Sequence, residues 1–124
     1  MKILVVDDSF TMRRIIVRIL SGLGHDEVVQ AEDGIEAITK IESEDVDFVL
    51  TDWNMPNMSG LELVMKLRAD DRYQKLPIVM VTTEAEKANV IEAIKKGVNN
   101  YVVKPFTPEI LKEKIEVTLE KCRQ

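Results

Sequence analysis

Asp7 and Asp8 follow one short apolar run, Asp52 follows another, Thr82 closes a third and Lys104 follows a fourth. If the chain brings these residues together, they are equipped for phosphoryl chemistry. Three carboxylates on one spot repel one another and rise in pKa unless a cation holds them ionised. Oxygen-only ligands suit Mg²⁺, for which Mn²⁺ can substitute. Mg²⁺ keeps several waters and usually takes one or two carboxylates plus a phosphate, which leaves a carboxylate free to react. Such a carboxylate can attack phosphorus and form an aspartyl phosphate, and Asp52 is the best placed to do so. Lys104 carries a compact charge on a flexible stem and could hold one phosphoryl oxygen while the metal holds another. Thr82 adds a hydroxyl donor at the same level.

The elements that must position these residues follow from the pattern of the chain. Short runs rich in Val, Ile, Leu, Phe or Tyr at 2–6, 27–30, 47–51, 78–82 and 101–103 read as buried parallel strands. Helical spacings lie between them. Met12, Ile15, Ile16, Ile19, Leu20 and Leu23 mark the apolar face of the first helix; Ile35, Ile38 and Ile41 that of the second; Leu61, Val64 and Leu67 that of the third. Val90, Ile91 and Ile94 serve the fourth, and Leu111, Ile115, Leu119 and Cys122 the fifth. Gly22, Gly24 and Gly97 stop helices, and Thr107-Pro108-Glu109 starts one with a cap, a first-turn proline and a dipole-compatible acid. This (βα)5 alternation predicts a doubly wound α/β fold, a parallel sheet with helices on both faces joined by right-handed crossovers. In such sheets ligands bind beyond the carboxyl ends of the strands. The strand order 2-1-3-4-5, flavodoxin-like, is taken over from known doubly wound proteins; it makes strands one, three, four and five neighbours and lines up all five polar residues.

Each residue alone has a plainer explanation. A lone Asp after a strand is usually a turn former or a helix cap, and Asp7-Asp8 could simply favour a helix N-terminus. Thr82 could cap the next helix, and Lys104 could be a solvated lysine. Their conjunction at one end of four neighbouring strands outweighs these separate readings. His25, beside Asp26 and Glu27, reads as a solvated loop residue; Met55 and Met58 read as loop packing.

Composition sets the class. With 124 residues, 45% of them hydrophobic, the chain can bury one sizeable core, so residues 1–124 are expected to form a single domain without an output domain. Its one cysteine, Cys122, can form neither an internal disulfide nor a thiolate metal site, and is expected to pack as a small hydrophobe. No run approaches the roughly 18 apolar residues of a membrane span, and no targeting peptide is evident. A soluble cytoplasmic monomer is the expectation. The net charge of −5 and the scattered bases argue against nucleic-acid binding.

The run Leu4-Val5-Val6-Asp7-Asp8, the segment from Thr51 to Gly60, the pair Val81-Thr82 and the ending Tyr101-Val102-Val103-Lys104-Pro105-Phe106 together resemble a bacterial response-regulator receiver of the chemotaxis type. The likeness covers essentially the whole chain, and Thr11-Met12-Arg13-Arg14 and Asp52-Trp53-Asn54-Met55-Pro56 are its most specific parts. It implies a signalling switch rather than an enzyme, one that catalyses its own phosphorylation and slow dephosphorylation. Asp52 would take a phosphoryl group from a histidine kinase, in chemotaxis CheA. Asp7, Asp8, Asp52 and the Asn54 carbonyl would bind Mg²⁺, and Lys104, followed by a cis peptide bond to Pro105, would contact the phosphoryl group. Thr82 would move toward it, with Tyr101 turning inward behind. The implied output face is Lys87, Val90, Ile94, Tyr101, Val103 and Lys114, its target the flagellar motor switch protein FliM. Asn54 and Glu84 match positions that tune phosphoryl lifetime, and a phosphatase is a further partner the resemblance allows. Ser59 and Thr83 depart from the best-known relatives; Ser59 bears on loop capping and Thr83 adds bulk at the mouth of the site.

Rival chemistries fit less well. A haloacid-dehalogenase-type phosphatase wants a second Asp two residues beyond the nucleophile, where this chain has Asn54. A flavodoxin-type FMN module wants a Ser/Thr/Gly-rich loop where this chain has Asp7-Asp8, which repel phosphate without metal. Within the receiver class the competing roles are a phosphate sink and a relay to a histidine phosphotransfer domain.

Overall fold

A computed structural model describes residues 1–123. The chain runs β1 (Ile3–Val6), α1 (Phe10–Gly22), β2 (Val28–Ala31), α2 (Gly34–Ser43), β3 (Phe48–Thr51), α3 (Gly60–Arg68), a short 3₁₀ turn (Asp71–Tyr73), β4 (Ile78–Thr82), α4 (Lys87–Lys96), β5 (Asn100–Val103) and α5 (Pro108–Cys122). The five strands form one parallel sheet in the order 2-1-3-4-5, the flavodoxin-like arrangement expected. Strand boundaries move by at most one residue from the sequence pattern.

Alternation along each strand divides the core into two layers, because successive side chains leave opposite faces of a sheet. Leu4, Val6, Val49, Ile78, Met80 and Tyr101 face α2, α3 and α4, where they meet Ala37, Ile41, Leu63, Val64, Leu67 and Ala93. Ile3, Val5, Phe48, Leu50, Val79, Val81 and Val102 face α1 and α5, against Ile16, Leu20, Leu111 and Ile115. Each such large apolar side chain contributes about 2 kcal/mol on burial, so the sheet's two faces supply most of the folding drive.

The helix ends follow their local chemistry. Ser9, Asp33, Ser59 and Thr107 each accept a backbone N–H as N-caps, and Ser59 forms a reciprocal capping box with Glu62. Gly97 closes α4 in the left-handed region at φ 118°, where a Cβ would be strained.

Several inward faces differ from the periodic reading. Ile15, Ile35, Ile91 and Ile94 are exposed, and Ala37 and Ala93 take the sheet-facing positions of α2 and α4. Small residues let those helices approach the sheet closely, and the longer isoleucines fall at the flanks. In α1 the buried side chains are Arg13, Ile16 and Leu20. Cys122 is exposed rather than packed, because the last turn of α5 offers it no core neighbour. Among the described residues no helix is long and apolar enough to cross a membrane.

Candidate functional site

The carboxyl edge of the sheet positions the acids through its own ladder. The Asp7 N–H donates to the Ala31 carbonyl at 3.1 Å and the Asp52 N–H to the Val6 carbonyl at 2.9 Å, so both residues are fixed by a neighbouring strand before their side chains interact. Asp7, Asp8 and Asp52 each bring a carboxylate oxygen within 4.8 Å of the others. Asp7 is buried, Asp52 partly buried and Asp8 exposed, so the trio opens to water on one side only.

Lys104 reaches this trio from β5. Its Nζ donates to Asp7 Oδ2 at 2.7 Å and to Asp52 Oδ2 at 3.1 Å, with its side chain 10% exposed. The Lys104 N–H donates to the Thr82 carbonyl at 2.8 Å, which sets its height, and the Lys104–Pro105 bond is cis. Burial by itself would lower the Lys104 ammonium; the hydrogen bond it donates to Asp7 and the charges of Asp52 and Asp7 outweigh that and hold the group above the ordinary lysine range.

The remaining oxygens are occupied by backbone donors. Asp7 Oδ1 accepts the Ser9 N–H at 2.9 Å and Asp52 Oδ1 accepts the Trp53 N–H at 2.6 Å. The buried Arg13 donates through Nη1 to the Asp7 carbonyl at 2.6 Å and through Nε to Gln30 at 3.1 Å, locking α1 to the end of β1. The donor set is all oxygen, one member is open to solvent, and a cation already bridges two of the acids. This set fits the acidic triad of a receiver's Mg²⁺ site.

The loop after Asp52 is closed tightly. The Gly60 N–H donates to the Trp53 carbonyl at 2.8 Å, and a Cβ on Gly60 would overlap the Asp52 carbonyl oxygen, so only glycine fits here.

Beyond the acids, Glu84 is a junction. Asn54 Nδ2 donates to its Oε1 at 2.9 Å and Asn89 Nδ2 to its Oε2 at 3.3 Å. Its N–H donates to the buried Thr82 hydroxyl at 3.3 Å, and its carbonyl accepts the Tyr101 hydroxyl at 2.6 Å. Tyr101 therefore points inward, packed against the α2–α4 layer, and its phenol is not in water. Burial, then the charges of Glu84 and Asp52, push that phenol up to about 12.

The other residues singled out in the sequence divide by exposure. Lys87, Ile94 and Val103 are exposed, Val90 and Lys114 half-buried, all on the α4–β5–α5 side; Thr83 is exposed. Ser9, Arg13, Asn89 and Gly60 were missed. A stretch that reads as a plain amphipathic helix gives no sign that one of its arginines is buried. The Asp-to-Gly spacing of the loop was the only available signal for Gly60.

The response regulator receiver domain model matches residues 3–116. The chain is 60% identical over 120 residues to "Chemotaxis protein CheY1" of Helicobacter pylori, covering 96% of this chain and 97% of that protein. It is 62% identical to "Chemotaxis protein CheY homolog" of Campylobacter jejuni (96% and 92% covered) and 52% identical to "Chemotaxis protein CheY" of Pseudomonas aeruginosa (98% of each). Among solved structures it superposes on chemotaxis response regulator CheY4 of Vibrio cholerae with a TM-score of 0.88 at 37% identity, covering 94% of this chain and 97% of that one. The matched span takes in the positions of the three acids and of Lys104 together with the sheet that holds them, and the chain belongs to the response regulator receiver family.

Proposed function

We propose that this chain is a phosphorylation-switched chemotaxis receiver, one domain over residues 1–124, working in the cytoplasm. Asp52 accepts a phosphoryl group from a histidine kinase, CheA in the chemotaxis setting, and the phosphorylated form binds FliM through the α4–β5–α5 face. The observation that carries this reading is the Lys104 ammonium spanning Asp7 and Asp52 beside the exposed Asp8.

Asp7, Asp8, Asp52 and the Asn54 carbonyl would hold Mg²⁺, which supplies neutralisation of charge on the transferring group. The chain's own residues do the rest. An Asp52 carboxylate oxygen attacks phosphorus in line; the phosphorus–nitrogen bond of the donor histidine breaks, and its electron pair stays on the imidazole, which takes up a proton. Lys104 leaves its carboxylate contact for a phosphoryl oxygen, a short move on a flexible stem. The Thr82 hydroxyl, now accepting from the Glu84 N–H, turns to donate to another oxygen. Because the Glu84 carbonyl holds Tyr101, that rearrangement reaches β5 and the output face. Asn54 and Glu84, hydrogen-bonded across the site, bear on water and phosphatase access and so on lifetime.

The group added carries about −1.5 to −2 charge and biases a two-state equilibrium by roughly 1–3 kcal/mol. The test is the affinity for the N-terminal FliM peptide with Mg²⁺, before and after beryllofluoride. Tighter binding with the mimic is expected. Unchanged binding despite confirmed uptake would move the role to a phosphate sink or a relay.

A further inference from the structure

The segment between Asp52 and α3 carries the Asn54 carbonyl; among the described residues the Asn54 backbone makes no hydrogen bond of its own, its side chain is tied to Glu84, and the rest of its support comes through its neighbours. On one side Trp53 is fixed by the bond from Gly60. On the other side Asn57 sits in the left-handed region at φ 66°, a conformation that asparagine tolerates better than most residues. Two contacts fix that second side, and both come from the start of α2. Asn57 Nδ2 donates to Asp33 Oδ2 at 2.7 Å, and the Gly34 N–H donates to the Met58 carbonyl at 3.2 Å. A Cβ on Gly34 would lie 2.6 Å from Met58 Cγ, so glycine permits this close approach.

Asp33 serves two masters with its two oxygens. Oδ1 accepts the Glu36 N–H at 2.8 Å as the N-cap of α2, and Oδ2 takes Asn57. The Glu36 N–H and then the Asn57 amide hold the Asp33 carboxyl below the ordinary aspartate value, so the acceptor is ionised across the neutral range. Neither the Asn57 nor the Asp33 side chain is hydrogen-bonded to any of the three acids; their bonds go to each other and to the Glu36 N–H.

We propose that Asp33 and Asn57 form a strap that positions the Asn54 carbonyl for the metal, so that α2 sets the affinity of the site without contacting it. This rests on the reading that Asp7, Asp8, Asp52 and Asn54 hold Mg²⁺. The helix cap and the strap are separable, because Ser caps a helix as well as Asp does. Asp33→Ser keeps an acceptor for Glu36 and is too short to reach the Asn57 amide. Asn57→Gly removes the strap with no change of charge and keeps a residue suited to positive φ. The exchanged pair Asp33→Asn with Asn57→Asp restores donor and acceptor in reverse, at the native net charge.

The experiment is a Mg²⁺ titration of the intact protein followed by the fluorescence of Trp53, the only tryptophan in the sequence, with thermal melts run alongside. Both single variants should bind Mg²⁺ roughly fivefold more weakly. That is below the about 10–100-fold cost of losing a direct partner of a metal ligand, because the Gly34–Met58 bond survives. The exchanged pair should return to within about twofold of the native affinity, which a merely loosened loop would not do. Native affinity in Asn57→Gly, or an exchanged pair no better than Asp33→Ser, would overturn the strap alone. No saturable response in the unaltered protein would overturn the metal reading and the strap with it.

Discussion

Two cations are drawn out of water at opposite ends of the sheet, and they answer differently. At the carboxyl edge Lys104 lies against Asp7 and Asp52, and its ammonium is held above the ordinary range despite burial. At the amino edge Arg68 donates to the Gly97 carbonyl at 3.0 Å, the Tyr73 carbonyl at 2.6 Å and Asn99 Oδ1 at 2.9 Å, and burial lowers its guanidinium. Carboxylates compensate the first charge; neutral dipoles compensate the second. A charge balanced by charges can be handed to another anion with little loss, which is what an arriving phosphoryl group requires. A forked donor bound to the end of α4, the 3₁₀ turn and the entry to β5 has nowhere else to go. One edge of the molecule is built to exchange partners and the other to stay put.

Asp52→Asn breaks the exchanging edge most completely. Phosphoryl uptake from acetyl phosphate, read by intact mass, should fall beyond detection; uptake at the native rate would remove Asp52 as the nucleophile. Lys104→Met should slow uptake by about 10²-fold, the scale of losing one preorganised electrostatic partner of a transition state. It also leaves two carboxylates facing each other, so the variant should lose roughly 2 kcal/mol in metal-free buffer, discounted for the partly open site. Millimolar Mg²⁺ should return much of that loss, because a second cation can occupy the same acids.

Arg68→Met sharpens the contrast. Three hydrogen bonds to neutral acceptors at about 1 kcal/mol each predict a loss of roughly 2–3 kcal/mol in urea unfolding. Here Mg²⁺ should return nothing, and phosphoryl uptake should stay within about twofold of native. If Mg²⁺ rescued Arg68→Met as well as Lys104→Met, the two edges would not be independent.

How much of this could be read from the chain follows the same division. The strand-end acids, Thr82 and Lys104 were legible because a short, continuous apolar run shows where each buried strand stops, and the chemistry of the residues beyond it is local to the sequence. The sheet order was taken over from known doubly wound proteins and agrees with the structure. Contacts made across the crossovers were not legible. Arg68 and Asn99 are 31 residues apart, and Asp33 and Asn57 are 24 apart; nothing in their types announces a partner. The inward faces of α2 and α4 misled for another reason. Periodicity ranks side chains by apolar size, whereas a helix lying close on a sheet selects Ala37 and Ala93 for the contact and leaves Ile35, Ile91 and Ile94 outside.

The smallest effect expected is alkaline, and it probes the link from the exchanging edge to β5. The Tyr101 phenol is pushed up to about 12, against an ordinary value of 10.0, so the folded state keeps its proton through a range where the unfolded state loses it. Stability supported by the neutral phenol is therefore complete below pH 10 and is lost as pH rises toward 12. Lys104 has the same sign, since its raised ammonium contributes below its ordinary value and loses that contribution as pH climbs through the folded one. Tyr101→Phe isolates the first group. At pH 8 it should be about 1 kcal/mol less stable than native, for want of the hydrogen bond to the Glu84 carbonyl. By about pH 11, ionisation of the unfolded tyrosine costs the native protein roughly 1 kcal/mol that the phenylalanine variant does not lose, so the gap between the two should close. Urea midpoints of the two proteins at several pH values measure this directly. A difference that stays constant across that range would mean that the phenol titrates at its ordinary value, and that Tyr101 is not held in the low-dielectric position through which the proposed Thr82–Glu84 rearrangement would reach the output face.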